Sequence, residues 1–339
     1  MGPRPRRRRR ALPRRSPGGR RVLAGPLAAG KSPRGKVKQL ARRAELLASA
    51  RGFFAGRGYL EVETPVLVPS PGLDVHLDAF ETNGPTALRY LSTSPEYQMK
   101  RLLAAGHRRI VQVARAFRRE ENGQRHNSEF TMLEFYRAFA TMDGILADTE
   151  QLVARLTEGT VRLGARRIDT RPPFARISVA EAFARYADVD EAAMLHLAEH
   201  DETRFFELLA FTVEPKLAEL DHAVVLTRYP TQFASLARRC DDDPRYAERF
   251  EIYVAGVELC NGFGELTSEP EQRARFLADQ AERTARGLPA YPIDERFLAA
   301  LASGIPDCAG NAVGFDRLAA LACGTTEIAD LLAFTAFEL

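Results

Sequence analysis

Apolar and polar positions alternate most regularly between Val111 and Tyr136. Val111, Val113, Ala114, Ala116 and Phe117 lead into a polar run, and the pattern returns as Phe130-Thr131-Met132-Leu133-Glu134-Phe135-Tyr136. Two β-rich runs joined by a polar loop predict an antiparallel hairpin. The loop carries Arg118, Arg119, Glu120, Glu121, Arg125, His126, Asn127 and Glu129. A purely structural hairpin would close on a short Asn-Gly turn; here Asn122-Gly123 sits inside a longer charged excursion.

Elsewhere the period changes. Leu40, Ala44, Leu47, Ala48 and Phe54 recur at helical spacing, and Gly56 and Gly58 end the run. Tyr59 to Leu67 alternates as a strand whose end Pro65 confines to an edge or an interface. Leu88 to Met99 predicts a short strand, then Ser94-Pro95-Glu96 opening a helix over Tyr97–Ala105, with proline in a first helical turn. Residues 140–215 are rich in Ala, Glu, Leu and Arg and read as mostly helical. Strands return at Ala223–Tyr229, Phe250–Val254 and Val257–Phe263, the last two around a turn at Ala255-Gly256. Cys308–Ala322 is a small-residue strand passing into a helix.

Composition narrows the class. The 339 residues suffice for one large or two modest domains. No run approaches the apolar length of a membrane helix, and no secretory h-region is present. Cys240, Cys260, Cys308 and Cys323 are scattered, which argues against a zinc site or a disulfide framework and fits a reducing cytoplasm. The net charge of +3 hides an asymmetry: residues 1–38 hold fourteen Lys and Arg and no acid, leaving 34 basic against 45 acidic residues in the remainder. That Arg-, Pro- and Gly-rich stretch reads as a disordered basic tail, with residues 39–339 as the folded domain. The arginines could bind RNA; an idle extension is the reading we adopt.

Two motif matches fail on context. Gly25 to Ser32 satisfies the Walker A pattern, but Pro33 and Gly35 follow at once where a helix should open. His196-Leu-Ala-Glu199-His200 has a metalloprotease-like spacing without a downstream acidic ligand.

The remaining polar residues suggest nucleotide chemistry. A guanidinium at a strand end, as at Arg118, can clamp phosphate oxygens in a fixed fork. A nearby carboxylate can accept from the adenine amine, and Phe130 offers a ring face. Glu251, Glu258 and Glu265 lie seven residues apart on adjacent strands and would repel each other unless cations share the space. Mg²⁺ takes one or two carboxylates plus phosphate oxygens, which suits ATP. Arg317, in the first turn of the last helix, makes an anion site with the helix N-terminus.

Several segments carry a family resemblance. FRREE with HNSEFTMLEFY resembles motif 2 of the class II aminoacyl-tRNA synthetases, in the lysyl form. The helix, glycine, strand and proline of residues 40–65 resemble motif 1, and CAGNAVGFDRL resembles motif 3. GVELCNGFGEL is similar to the lysyl segment that holds metal, ATP and amino acid. The resemblance covers about residues 40–337 and implies an α+β fold, an antiparallel sheet flanked by helices, forming a homodimer through motif 1. It places ATP against Arg118, Glu120, His126, Asn127, Phe130, Glu258, Leu259, Gly314 and Arg317, with Arg118 and Arg317 catalytic. Mg²⁺ goes to Glu251 and Glu258. Ser94, Glu96, Tyr136, Asn261, Glu265 and Ala312 take the amino acid, Glu96 facing its amino group and Glu265 its distal ammonium.

The N-terminal anticodon-binding barrel of a lysyl-tRNA synthetase is missing from this sequence, so tRNA is not an expected partner. SPEYQMKRLL, ARGLP with PID, and PDCAGNAVGFDRL bring the chain nearer to the free-standing paralogues, ligases that join (R)-β-lysine to elongation factor P. Ala312 matches that group, whereas lysyl-tRNA synthetases carry glycine there. The alternatives are tRNA charging, a free amino-acid ligase of the asparagine synthetase kind, and a non-catalytic regulatory paralogue. The Glu265 pocket argues against the second, and the presence of Arg118, Glu120 and Arg317 against the third.

Overall fold

The structure, a computed structural model, describes residues 33–84, 87–119 and 123–339. The Walker-like Gly25–Ser32 and the loop residue Glu120 lie outside the described residues. A 3-10 turn at Pro33–Lys36 opens the chain, inside the stretch that composition assigns to the tail. Its Lys36 ammonium is buried, donating to the Leu332 carbonyl (3.2 Å) and to Glu338 (3.1 Å). Residues 33–38 therefore belong to the folded body.

Helix α1 (Val37–Ala55) buries Leu46, Ala50, Phe53 and Phe54, while Ala44 and Ala48 of the predicted stripe are exposed. The two phenylalanines carry most of the apolar area and decide which side turns inward. Phe54 packs on Tyr59 and Phe135 at ring separations of 5.1 and 4.8 Å. The alternation over Tyr59–Leu67 does not make one strand. It yields β1 (Leu60–Glu61) and β2 (Leu67–Val68), which join different sheets on either side of Pro65. Then come β3 (Glu81–Asn83), β4 (Leu88–Leu91), α2 (Glu96–Ala104), β5 (Arg109–Phe117) and β6 (Glu129–Ala138).

The middle of the chain is less uniformly helical than its composition suggests. After α3 (Met142–Thr157), β7 (Thr160–Leu163) and β8 (Arg166–Asp169) form a ribbon about Gly164, whose φ of +61° favours glycine. An edge strand β9 (Ala175–Ser178) precedes α4 (Val179–Ala187), α5 (Glu191–His200), α6 (Glu202–Leu208), a π-helical turn at Leu209–Val213 and α7 (Glu214–Ala218). The chain closes with β10 (Val224–Pro230), β11 (Tyr246–Val254), β12 (Val257–Gly264), α8 (Glu269–Ala285), α9 (Glu295–Ala302), β13 (Cys308–Gly314) and α10 (Phe315–Ala322).

Among the described residues the main sheet has eight strands in the order β1-β5-β6-β13-β12-β11-β10-β9. The six inner strands are antiparallel, and β1 and β9 add parallel at the two edges. This is the α+β architecture expected. Leu133, Phe135, Ile252 and Val313 pack from one face into a core with α3 and α10. The opposite face carries the site. No helix among the described residues is long and apolar enough to cross a membrane.

Candidate active site

Residues paired across a ladder share a face, so register decides which side chains meet. Met132, Glu134 and Tyr136 of β6 stand opposite Gly314, Ala312 and Gly310 of β13. Asn261 and Phe263 of β12 stand opposite Ala312 and Gly310, and Glu251 of β11 opposite Asn261. One irregularity is decisive. Ile252 pairs with Cys260 but Tyr253 pairs with Glu258, leaving Leu259 as a bulged residue. Strict alternation would put Glu258 beside Cys260 in the core; the bulge turns it to the same face as Glu251 and Asn261.

Two cavities open on this face. The first is lined by Arg118, His126, Asn127, Phe130, Glu258 and Arg317, with Leu259 and Gly314 behind them. The second is lined by Ser94, Glu96, Tyr97, Phe263 and the loop around Gly72. They share Arg118, Met132, Asn261 and Ala312 as a common wall. The expected ATP residues that can be described thus line one cavity, and Ser94, Glu96, Asn261 and Ala312 line the other.

The first cavity is cationic at both ends. The Arg118 guanidinium lies over the Phe130 ring at 5.2 Å, and its backbone N–H is fixed to the Ser128 carbonyl (2.9 Å). Arg317 donates to the Glu258 carbonyl (3.0 Å) and to His126 Nε2 (2.7 Å), so the helix and the hairpin loop position it jointly. Behind both, Arg43 donates to Asp316 (2.6 Å) and Thr131 (2.7 Å), and the Thr131 N–H donates to Asp316 (2.7 Å). This ties α1, β6 and α10 together. Asn127 is engaged by backbone, donating to the Glu129 carbonyl and accepting from the Ala336 N–H.

The second cavity is anionic. Beneath it, Glu134 is 1% exposed and accepts from Ser94 Oγ (2.8 Å) and the Tyr136 hydroxyl (2.5 Å). Burial, then Glu96, pushes its carboxyl up to about 7. Lys100, wholly buried, donates to Glu96 (2.7 Å) and to Glu265. Burial pushes Glu265 up to about 8 despite that ammonium. Lys100 is held above its ordinary range: desolvation opposes its charge, but Glu265 and Glu96 outweigh it. Tyr136 is pushed well above the usual phenol range by burial and then Glu134.

Among the described residues no group of three or more His, Cys, Asp or Glu is arranged to hold a metal. His196 and His200 meet edge to face on α5 with ring centroids 4.5 Å apart, and no third metal ligand joins them among the described residues. A metal fits the Glu251–Glu258 pair because burial, and then the charge of Glu251, raises Glu258, a crowding that a cation relieves. Glu251 already accepts from Tyr229 (2.6 Å), Tyr253 (2.7 Å) and Arg249 (2.6 Å), so Glu258 is the more available of the two. A magnesium ion there would draw most of its ligands from phosphate oxygens.

Gly310 makes room for its neighbours: a Cβ there would overlap the Tyr136 ring and press on the Glu265 carboxylate. Glu134 and Lys100 were not singled out as site residues. A lone acid in the apolar run TMLEFY is a signal, since buried acids need partners. Lys100 has no comparable one, because Glu96 and Lys100 at i,i+4 also describe an ordinary surface pair.

The family model for class II tRNA synthetases (D, K and N) matches residues 33–338. The elongation factor P–(R)-β-lysine ligase of Proteus mirabilis (strain HI4320) is 42% identical over 329 residues, covering 90% of this chain and 97% of that one. Its counterpart from Salmonella paratyphi B (strain ATCC BAA-1250 / SPB7) is 42% identical over 327 residues, covering 89% and 96%. The two relatives share one name, and the chain belongs to the class II tRNA synthetase family of the D, K and N type.

Proposed function

We propose that the protein is an ATP-dependent ligase that activates (R)-β-lysine as its adenylate and passes it to a lysine side chain of elongation factor P. The carrying observation is the acid cluster at and beneath the second cavity. Glu96, Glu134 and Glu265 gather around the single ammonium of Lys100, so acid outnumbers base there. That surplus suits the two ammonium groups of a diamino acid, whose charge favours ionised Glu134 and Glu265, and Arg118, on the wall shared with the first cavity, suits its carboxylate. Arg118, Glu120, Arg317 and the 42% identical ligases support the reading.

On this reading no protein nucleophile is needed. The substrate carboxylate attacks the α-phosphorus of ATP and pyrophosphate leaves. Arg118 neutralises charge growing on that phosphate, and Arg317, oriented by His126, holds the distal phosphates. Mg²⁺ at Glu258 and Glu251 would screen the phosphate charge. Phe130 and Glu120 serve adenine. The neutral amine of the acceptor lysine then attacks the adenylate carbonyl, an amide forms and AMP departs. Ser94 and Tyr136 act through Glu134, keeping its oxygens aimed.

We also infer a cytoplasmic homodimer formed through the α1–β2 segment, whose exposed Leu60, Val66 and Leu67 support it. Purified protein with ATP and β-lysine or α-lysine, offered elongation factor P or tRNA, tests the assignment by mass shift of the acceptor. Modification of tRNA with none of elongation factor P would overturn it.

A further inference from the structure

Beyond the amino-acid pocket the cavity continues. Asp74, Leu77, Ser235 and Asp279 line the second cavity and also a groove of about 690 Å³ that runs outward along α6 and the π-helical turn. This groove meets the amino-acid pocket at residues that do not line the ATP cavity. Its far wall comes from α6 and the π-helical turn, through Glu202, Phe206, Glu207 and Phe211.

The lining has a definite chemistry. Five carboxylates, Asp74, Glu202, Glu207, Asp279 and Glu282, face it against two guanidiniums. Arg286 is already held by Glu202 (2.6 Å) and Glu282, and Arg249 by Glu251 (2.6 Å). Glu207 is paired with Arg204 (3.3 Å) and Glu202 is also hydrogen-bonded to His76 (2.9 Å), so Asp74 and Asp279 are the groove carboxylates left outside any ion pair among the described residues. Burial, then Asp74 and Glu282, pushes Asp279 up to about 7 against the pull of Arg275 and His76, the response of a carboxyl crowded by its own kind. Aromatic surface lies alongside: Phe206 packs on Phe233 at 4.7 Å, and Phe211 is 79% exposed. Large exposed apolar groups next to a pocket mark interaction surfaces. Where the groove meets the pocket, Ser235 holds φ +51°, pinned by Arg275 through the Ser235 and Ala237 carbonyls (both 2.8 Å).

We propose that this groove docks the cationic, lysine-bearing segment of the acceptor protein, carboxylates steering its ammonium groups and Phe211 covering an aliphatic stem. The inference rests on the ligase reading above and adds where the second substrate lands. Charge complementarity and continuity with the amino-acid pocket select this occupant; a lysine entering here meets acid along its path to the carbonyl. Phe211 and Glu207 lie four residues apart on the rim, outside the pocket wall, so they can be changed without touching adenylation.

The test is the double variant Glu207→Lys/Phe211→Ala of the full chain, with two readouts. Pyrophosphate exchange with β-lysine should stay within about twofold of the parent, while kcat/KM for transfer to elongation factor P should fall by about tenfold or more, as for a rim charge combined with an aromatic anchor. Parental transfer in the variant would overturn the docking site. A parent that adenylates β-lysine but never modifies elongation factor P would instead sink the ligase reading, which separates the two failures. Self-association of the parent that the same substitutions abolish would assign the groove to a second copy and also overturn the proposal.

Discussion

Lys100 donates to Glu265 beneath the amino-acid pocket, and neither side chain is more than 1% exposed. The pair lies among Glu96 and Glu134, so its single positive charge keeps two buried acids and one half-buried acid tolerable. Removing one partner of a buried pair costs about 3–5 kcal/mol because a charge is left without compensation. We expect Lys100→Met to lower the urea unfolding free energy by about that amount, and Glu265→Gln in the same chain to recover most of it. Equal losses in the single and double variants would show that the ion pair is not the cause.

Substrate binding should expel protons. Glu134 and Glu265 titrate near 7 and 8 in the folded protein, against 4.5 when unperturbed. Between these values the folded state holds more protons than the unfolded chain, so the two groups' contribution to stability falls as pH rises through the window. Two incoming ammonium groups favour the ionised carboxylates. Diamino-acid affinity should therefore rise from about pH 6 to 8, with proton release at pH 6.5. Calorimetry in two buffers of different ionisation heat measures this, and proton uptake would contradict it.

Arg118 stands where the two cavities meet. Arg118→Ala should lower pyrophosphate exchange by about 10²–10³ while leaving the thermal transition in place. Exchange within tenfold of the parent would remove Arg118 from the chemistry.

Ala312 faces Glu134 on one side and Asn261 on the other, with its methyl on the shared wall. Moving an amino group by one carbon changes where the substrate backbone lies against that methyl. Ala312→Gly should raise α-lysine adenylation relative to (R)-β-lysine, by the 1–3 kcal/mol at most that a methylene-sized group contributes, i.e. about 10–200-fold. The ratio of kcat/KM values for the two isomers is the measurement, and an unchanged ratio would place selectivity elsewhere.

Truncation should discriminate sharply by position. Removing residues 1–32 should leave melting and adenylation unchanged, since their composition offers no apolar periodicity to pack. Extending the deletion through residue 38 removes Lys36, leaving Glu338 and the Leu332 carbonyl without that donor. That should cost about 1–3 kcal/mol of stability, read from denaturant midpoints. A lower melting temperature on removal of residues 1–32 alone would give that stretch a structural role.

What the chain's pattern alone determined was local: the hairpin of β5 and β6, the proline-opened α2, the turn at Ala255-Gly256, and the strand-to-helix passage that puts Arg317 in a first turn. Each follows from period, turn residue or cap over a few neighbours. Ala255 and Gly256 both take positive φ, as a tight hairpin turn requires. In α1 the buried side differs from the periodic stripe because two adjacent phenylalanines outweigh a regular row of alanines once a core exists to receive them. Pairing across distant strands was decided only by the tertiary structure. The Leu259 bulge turns Glu258 toward Glu251, and register sets Glu134 opposite Ala312. Lys100 reaches Glu265 from a helix 165 positions earlier in the chain, a contact no local period encodes. Buried charges choose their partners by desolvation, which exists only after the surrounding apolar groups have closed over them.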